Sequence, residues 1–265
     1  MLFPKLVPAG SSYVKIPISK RAAMRILLET VQRGSRYWIA GSVSPDKALG
    51  FAAKMAKRYH ADATQAQRAY AKSQDKANTT LLMYPEHAGS ILWWLLATPG
   101  KGDVHEQEQL LDAHHKRTPL TWETQYELVH AQRPRPQGGG RHWTWRLADQ
   151  RYAELDAAMR ELAASPGHAR ARHDDLDGLV QALMRMPGFH GMRMQVLELL
   201  RVGKEAWSRT HAKGHVYPWP ENVSYLDKGF VCYHAPNPLR LDVLAQSLAE
   251  QPGRHSQPMK VGLRF

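Results

Sequence analysis

The sequence predicts an α+β protein, with an antiparallel or mixed sheet that carries helices on one face and a helical region after it. Two observations favour this class. Segments that alternate apolar and polar residues, as half-buried strands do, are concentrated before residue 148. Segments with helical periodicity interrupt them and dominate from residue 149 onward. We therefore expect a basic α+β domain over residues 1–148 and a mostly helical region with a basic C-terminal tail over residues 149–265.

Start signals and periodicity define the elements of the first half. Ser19 is a typical N-cap, and Ser44-Pro45-Asp46 combines an N-cap, a first-turn proline and an acid at the positive end of the helix dipole. The two helices that these signals predict run to about residue 33 and to residue 59, and further helix continues to about residue 77. Strands are expected over residues 12–17, 36–43, 77–84 and 90–97.

The middle of the chain predicts a short helix around residues 104–113 and then a hairpin. Residues 118–129 alternate so regularly that we predict one antiparallel strand with one wet face, and residues 141–147 repeat the pattern. The connection over residues 132–140 (QRPRPQGGG) has no core-forming residue and predicts a long tip. Further helices are expected over residues 149–164, 174–186, 192–211 and 238–250, with an irregular segment over residues 213–238.

Composition excludes several classes of protein. With 265 residues, of which 43% are hydrophobic, the chain is long and apolar enough to bury a core. The single cysteine, Cys232, excludes an internal disulfide and suits a reducing compartment. The N-terminus lacks the apolar region of a signal peptide, and the longest apolar run, residues 91–97, is about a third of the ~20 residues that cross a bilayer. We expect a cytoplasmic protein with no cofactor and no membrane association.

Charge is the unusual property of this sequence. Lys and Arg total 36 against 24 Asp and Glu, and residues 1–76 alone contribute +10 of the net +12. Such an excess makes polyanions the expected partners, with nucleic acid first. The alternative is a set of solvated helix faces that bind nothing. On the first two helices, the cations expected to bind phosphates recur at helical spacings with few acids beside them: Lys20, Arg21, Arg25, Lys47, Lys54 and Arg58.

The predicted hairpin tip supplies a second group of candidate nucleic-acid-binding residues. Arg133, Arg135 and Arg141 surround a flexible Pro- and Gly-rich loop. A guanidinium group pairs with phosphate through two parallel hydrogen bonds, so such loops can grip a nucleic-acid backbone. A plain surface loop explains the composition as well. The aromatic residues of the predicted strands are expected in the core rather than stacked on bases.

One polar segment could hold a metal ion. If it is helical, one stripe of that helix combines imidazole and carboxylate groups, which suit a divalent cation in a nuclease. The spacing is not the HExxH zinc motif, and an exposed polar helix explains the pattern better. The candidate metal ligands are His105, Glu108, Asp112 and His115.

Two further hypotheses concern histidines and a helix pair. Metal-free cleavage of RNA needs a general base and cationic groups, which His60, His142 or His190 beside arginines could supply. Residues 176–201 could form a helix-turn-helix, with Arg193 and Gln195 near the start of the second helix. Its linker is longer than usual, so an ordinary helical hairpin is favoured.

Several stretches resemble a group of uncharacterised proteins encoded on proteobacterial plasmids and integrative conjugative elements. They lie between about residues 37 and 200 and comprise residues 47–59 (KALGFAAKMAKRY), 77–84 (ANTTLLMY), 93–100 (WWLLATPG), 105–106 (HE) and 141–146 (RHWTWR). The resemblance is to a sequence pattern and transfers no catalytic residue. It implies a context of mobile DNA, where small basic accessory proteins serve replication, transfer or regulation.

These observations favour a non-catalytic nucleic-acid-binding accessory protein of a mobile genetic element. DNA or RNA would be its main partner, and other proteins of the element are possible partners. The first alternative is a nuclease, either metal-dependent or a metal-free ribonuclease that uses His and Arg. The second is a protein-interaction subunit that binds an acidic partner.

Overall fold

The computed structural model describes residues 16–87, 90–132, 139–165, 170–212 and 214–224. It contains two antiparallel sheets and a helical region after the strands, so the predicted α+β class is confirmed. These residues form two compact units, residues 16–113 and 114–224, and each is described separately below. Of the strand predicted over residues 12–17 only the last two residues are described. The helix predicted over residues 238–250 and the basic tail lie outside the described residues.

The first unit combines four helices with a four-stranded sheet. Its elements are α1 (Lys20–Gln32), β1 (Tyr37–Val43), α2 (Pro45–Tyr59), α3 (Gln65–Ser73), β2 (Thr79–His87), β3 (Ser90–Ala97), α4 (Asp103–Gln107) and β4 (Leu111–Asp112). The strand order is β2-β3-β1-β4. α1 begins as predicted, because Ser19 Oγ accepts a hydrogen bond from the N–H of Ala22 at 3.2 Å.

α2 packs on one face of this sheet. Ala52 and Met55 of α2 lie in core clusters with the odd-numbered strand residues Met83 and Leu95. Side chains alternate along a strand, so the even-numbered residues point to the opposite face, and Trp94 there is also buried. α1 contacts β2, and its buried residues belong to neither cluster beneath α2. The two helices predicted to bind phosphates therefore pack through separate cores.

The helix predicted around residues 104–113 is shorter in the structure. α4 ends at Gln107, Glu108 is extended, and residues 111–112 pair with β1 as β4. The physical reason is a long-range ion pair: Arg36 donates from Nε and Nη2 to the two carboxylate oxygens of Asp112 at 2.9 and 2.6 Å. This pair, together with the strand pairing, holds Asp112 at the sheet edge, and the single helix that the metal stripe requires does not form.

The second unit combines a three-stranded sheet with three long helices. Its elements are β5 (Thr121–Trp122), β6 (Tyr126–Gln132), β7 (Arg141–Leu147), α5 (Asp149–Ala164), α6 (Arg170–Met184) and α7 (His190–Thr210). The strand order is β5-β6-β7. The two compact units divide before these strands, and within the second unit α7 packs on β7 and on α5. None of the described helices is both long and apolar enough to cross a membrane.

The strand predicted over residues 118–129 is two strands joined by a tight turn. Residues 123–125 form the turn, with Glu123 at φ 49, and the chain reverses there. Trp122 pairs with Tyr126 across the turn, and directly opposed residues share one face of a sheet. The alternation of apolar residues therefore continues through the reversal, which is why a single long strand was expected.

α7 completes the free edge of β7. The side chain of Gln195 accepts a hydrogen bond from the N–H of Leu147 at 2.7 Å and donates to the carbonyl of the same residue at 3.2 Å. Arg193 donates to the carbonyl of Val223 at 2.9 Å. Both side chains thus bond within the unit rather than project from a DNA-reading helix.

Candidate nucleic-acid interface

Three of the predicted phosphate-binding residues form one stripe on α2, here called the α2 stripe. Lys47, Lys54 and Arg58 lie within about 40° of one another around the helix at 100° per residue. All three are exposed, and within the described part of the chain neither lysine forms an ion pair. Arg58 Nε donates to Gln107 Oε1 at 2.6 Å, and its guanidinium lies 5.3 Å from the centre of the Tyr59 ring. The α2 stripe therefore presents three cations to solvent on one side of a helix.

The charge of α2 is not balanced within the helix. Lys57 adds a fourth exposed cation, and Asp46 is the single acid. Asp46 lies in the first turn, where a hydrogen bond with Ser44 holds the pKa of its carboxyl below the usual range. This carboxylate sits where the helix dipole favours a negative charge, and it precedes the α2 stripe. α2 therefore carries a surplus of positive charge along most of its length.

The predicted phosphate-binding cations of α1 are less available to a ligand than those of the α2 stripe. Arg25 Nε lies 2.9 Å from Glu29 Oε1, and only 24% of the arginine side chain is exposed. Glu29 also pairs with Arg33 at 3.4 Å. Lys20 and Arg21 are partly buried in the first turn of α1. Arg25 is thus neutralised within its own helix, which weakens it as a phosphate ligand.

Of the three arginines predicted at the hairpin tip, the structure describes one. Arg133 and Arg135 lie outside the described residues. Arg141 is exposed at the start of β7, and its Nη2 donates to the carbonyl of His130 at 3.2 Å. The ring of His130 stacks on Trp143 at 4.9 Å. Desolvation of the ring, and then the charges of Arg141 and His114, lower the pKa of the exposed His130.

The four candidate metal ligands serve separate contacts. The hydroxyl of Tyr59 donates a hydrogen bond to the carboxylate of Glu108. Burial, together with this hydrogen bond, raises the pKa of Tyr59 to about 12. Among the described residues, no group of three or more His, Cys, Asp or Glu side chains is placed to hold a metal ion. His105 contacts the carbonyl of Thr98, and Glu108 contacts the hydroxyl of Tyr59. Asp112 contacts the guanidinium of Arg36, and His115 contacts the N–H of Arg117.

The fold also brings together lysines that the sequence analysis did not select. Lys76 and Lys101 form an isolated parallel bridge, in which Lys101 N–H donates to the carbonyl of Asp75 at 2.8 Å. The N–H of Lys76 donates to the carbonyl of Ala71 at 2.9 Å, which places it at the end of α3 near Lys72. All three lysines are exposed, and no ion pair involves them in the described structure. We call Lys72, Lys76 and Lys101 the lysine cluster.

Gly100 is the residue that permits the bridge. Its φ is +136, and a Cβ there would lie 2.7 Å from the backbone nitrogen of Ala77. Only glycine fits such a close backbone approach at positive φ. A glycine at this position is the sequence signal for a close backbone approach. It does not identify the distant segment, residues 76–77, that approaches it.

Comparison with known proteins adds no relative to this description. No protein-family model, curated protein or solved structure matches the chain. The candidate interface is therefore defined by the exposure, spacing and charge of the α2 stripe and the lysine cluster.

Proposed function

We propose that this protein is a non-catalytic nucleic-acid-binding accessory protein of a mobile genetic element, and that it holds phosphates through the α2 stripe. The observation that supports this most strongly is the set of exposed, unpaired lysines with Arg58 on one side of α2. The mobile-element context comes from the resemblance described above. One resembling stretch, residues 47–59, includes the whole α2 stripe.

The chemistry of the α2 stripe suits a sugar-phosphate backbone. Lysine ammonium groups neutralise phosphates as point charges and release condensed counterions. Arg58 uses its Nε for Gln107, which leaves its two Nη groups for the oxygens of a phosphate. Contacts of this kind position a protein on nucleic acid without reading its sequence.

Substitution of the α2 stripe tests the proposal. We expect Lys47→Gln, Lys54→Gln and Arg58→Gln together to weaken binding to random duplex DNA about tenfold or more, because three phosphate contacts are lost. The slope of log affinity against log salt should also fall, by about 0.9 for each duplex phosphate contact. Fluorescence anisotropy at two salt concentrations measures both the affinity and this slope.

A matched control separates position from net charge. Lys116, Arg185 and Lys204 are exposed cations of the second unit, and changing all three to Gln removes the same charge. An equal loss in both variants would contradict the assignment of the site, and no binding by the unmodified protein would remove the proposal. Labelled DNA and RNA incubated with Mg²⁺ or Mn²⁺ test the non-catalytic part, which any cut product would contradict.

A further inference from the structure

α3 is a regular helix that buries none of its residues in the described structure. Tyr70, near its middle, leaves 70% of its surface exposed. A nine-residue helix is not stable alone in water, because nucleation costs more than so few hydrogen bonds return. Amphipathic packing, the usual support of a helix, is missing here. α3 therefore depends on other contacts, and its outer side is exposed.

Polar contacts hold α3 in place. Thr64 and Gln67 form a capping box, in which Gln67 Oε1 accepts from the N–H of Thr64 at 2.8 Å. The partly buried Arg68 donates from Nη1 to the hydroxyl of Thr80 at 3.1 Å. Asn78 Nδ2 donates to the carbonyl of Arg68 at 3.1 Å. These bonds fix the inner side of the helix. On the outer side Ser73 Oγ donates to the carbonyl of Tyr70 at 2.7 Å, and the side chain of Tyr70 remains exposed.

The outer side of α3 is polar, carries the exposed Lys72 at one margin and is closely approachable. Two alanines bring the backbone near the surface, while an amide and a phenol offer hydrogen bonds. The helix contains no acidic residue. This side is too polar to be buried in a hydrophobic groove. Its exposed residues are Gln65, Ala66, Ala69, Tyr70 and Ser73.

We infer that α3 enters the major groove of duplex DNA, with Tyr70 and Gln65 against base edges and the lysine cluster on the flanking phosphates. The lysine cluster lies at the C-terminal end of α3, next to this outer side. The inference rests on the proposed function and deepens it, because it names the form of nucleic acid and the helix that contacts the bases.

The dimensions of α3 favour DNA over RNA. A helix is about 10–12 Å across with its side chains, which matches the ~12 Å width of the major groove of B-DNA. The major groove of duplex RNA is too narrow and deep for side chains to read. Glutamine pairs with adenine in the DNA groove. The phosphates of DNA would also neutralise the positive charges of the lysine cluster, which a partner without acidic groups would not do.

The position of α2 supports the same partner. α2 immediately precedes α3 in the chain and carries the α2 stripe for phosphates. In helix-turn-helix proteins one helix contacts the backbone and the next enters the groove. The five-residue connection between α2 and α3, residues 60–64, is longer than the turn of that motif, so we infer the same division of contacts without its geometry.

Photocrosslinking to the major groove tests the inference. Duplex DNA with 5-iodouracil in place of thymine carries iodine in that groove, where irradiation links it to a nearby aromatic side chain. We expect the full-length protein to give a crosslinked peptide that contains Tyr70. Tyr70→Ala should abolish this product, and Tyr70→Phe should retain it. Crosslinks only at other residues, or a product that survives Tyr70→Ala, would overturn the inference.

A charge variant tests the phosphate contacts separately. Lys72→Gln, Lys76→Gln and Lys101→Gln together should weaken binding to duplex DNA about tenfold or more and lower the salt slope by about 2–3. The variant of Lys116, Arg185 and Lys204 again serves as the control. Unchanged affinity, or an equal loss on duplex RNA, would overturn the placement of α3 in a DNA groove.

The two proposals fail in different ways. If the unmodified protein binds no nucleic acid, the proposed function and this inference are both overturned. If it binds duplex DNA but either Tyr70→Ala or the lysine-cluster variant leaves its result unchanged, only the role of α3 is overturned.

Discussion

The side chain of Gln195 makes hydrogen bonds to the backbone at the edge of β7 of the kind that a neighbouring strand would make. Its amide bonds to both backbone groups of Leu147, a residue that is 1% exposed. We expect Gln195→Ala to lower the free energy of unfolding by about 1–3 kcal/mol, because the buried N–H of Leu147 would lose its partner. Urea denaturation measures this, with the exposed Gln181→Ala in α6 as the control. Equal losses in the two variants would contradict the role of Gln195.

His130 should contribute to the response of the protein to acid. Its pKa is lowered from the usual 6.5 by desolvation of its ring, and then by the charges of Arg141 and His114, although the residue is exposed. In the unfolded chain the pKa returns to its usual value, so below about pH 6.5 the unfolded state binds more protons than the folded state. Stability should therefore fall as the pH drops through this range, and His130→Asn should reduce the fall.

The melting temperature at pH 8 and at pH 5.5 measures this effect. The difference between the two values should be smaller in His130→Asn than in the unmodified protein. The value at pH 8 serves as the reference, since it reports the loss of the stacking contact with Trp143 without protonation. An identical difference in both proteins would show that His130 does not contribute to the acid response.

Two helical glycines differ in what surrounds them. A Cβ at Gly203 in α7 would lie 2.6 Å from Trp219 Cη2 and 2.7 Å from Met159 Sδ, whereas at Gly178 in α6 it would meet nothing within 4 Å. Gly203→Ala should therefore cost about 1–3 kcal/mol through overpacking. Gly178→Ala should stabilise the helix by about 0.5–1 kcal/mol. Chemical denaturation of both variants checks the prediction, and changes of the same sign would contradict it.

The elements that were predicted well have local causes. α1 begins at Ser19, whose side chain caps the helix as the sequence predicts. α2 begins at Ser44-Pro45, where the first-turn proline is as predicted but the side chain of Ser44 makes no cap hydrogen bond. The helix expected around residues 104–113 was wrong beyond Gln107, because Asp112 pairs with Arg36, which is 76 residues away. Periodicity reports the burial of neighbouring residues and carries no information about such a distant partner.

The same distinction applies to the candidate site. The α2 stripe follows from helical spacing alone, and so does the pairing of Arg25 with Glu29, which the sequence already offers at i and i+4. The bridge between Lys76 and Lys101 joins a helix end to a distant loop. No spacing rule predicts it, so the lysine cluster became visible in the fold and not before.

At the scale of the whole molecule, net charge predicted a basic protein but not where its charge is available. Residues 77–113 add five acids and one lysine, which offset part of the N-terminal excess. Two of these acids already have partners, because Asp112 pairs with Arg36 and Glu108 bonds to Tyr59. Among the described residues of the first unit, the cations left exposed include the α2 stripe, Lys57 and the lysine cluster.

The three-residue turn between β5 and β6 has a consequence for how this chain can change over time. A residue inserted at residues 123–125 would lengthen the loop and could leave the pairing of Trp122 with Tyr126 intact. A residue inserted within β6, between Tyr126 and Leu128, would instead move Leu128 to the wet side of the sheet, unless a bulge compensated. Related chains should therefore vary in length at the exposed turn and not within the strand that follows it.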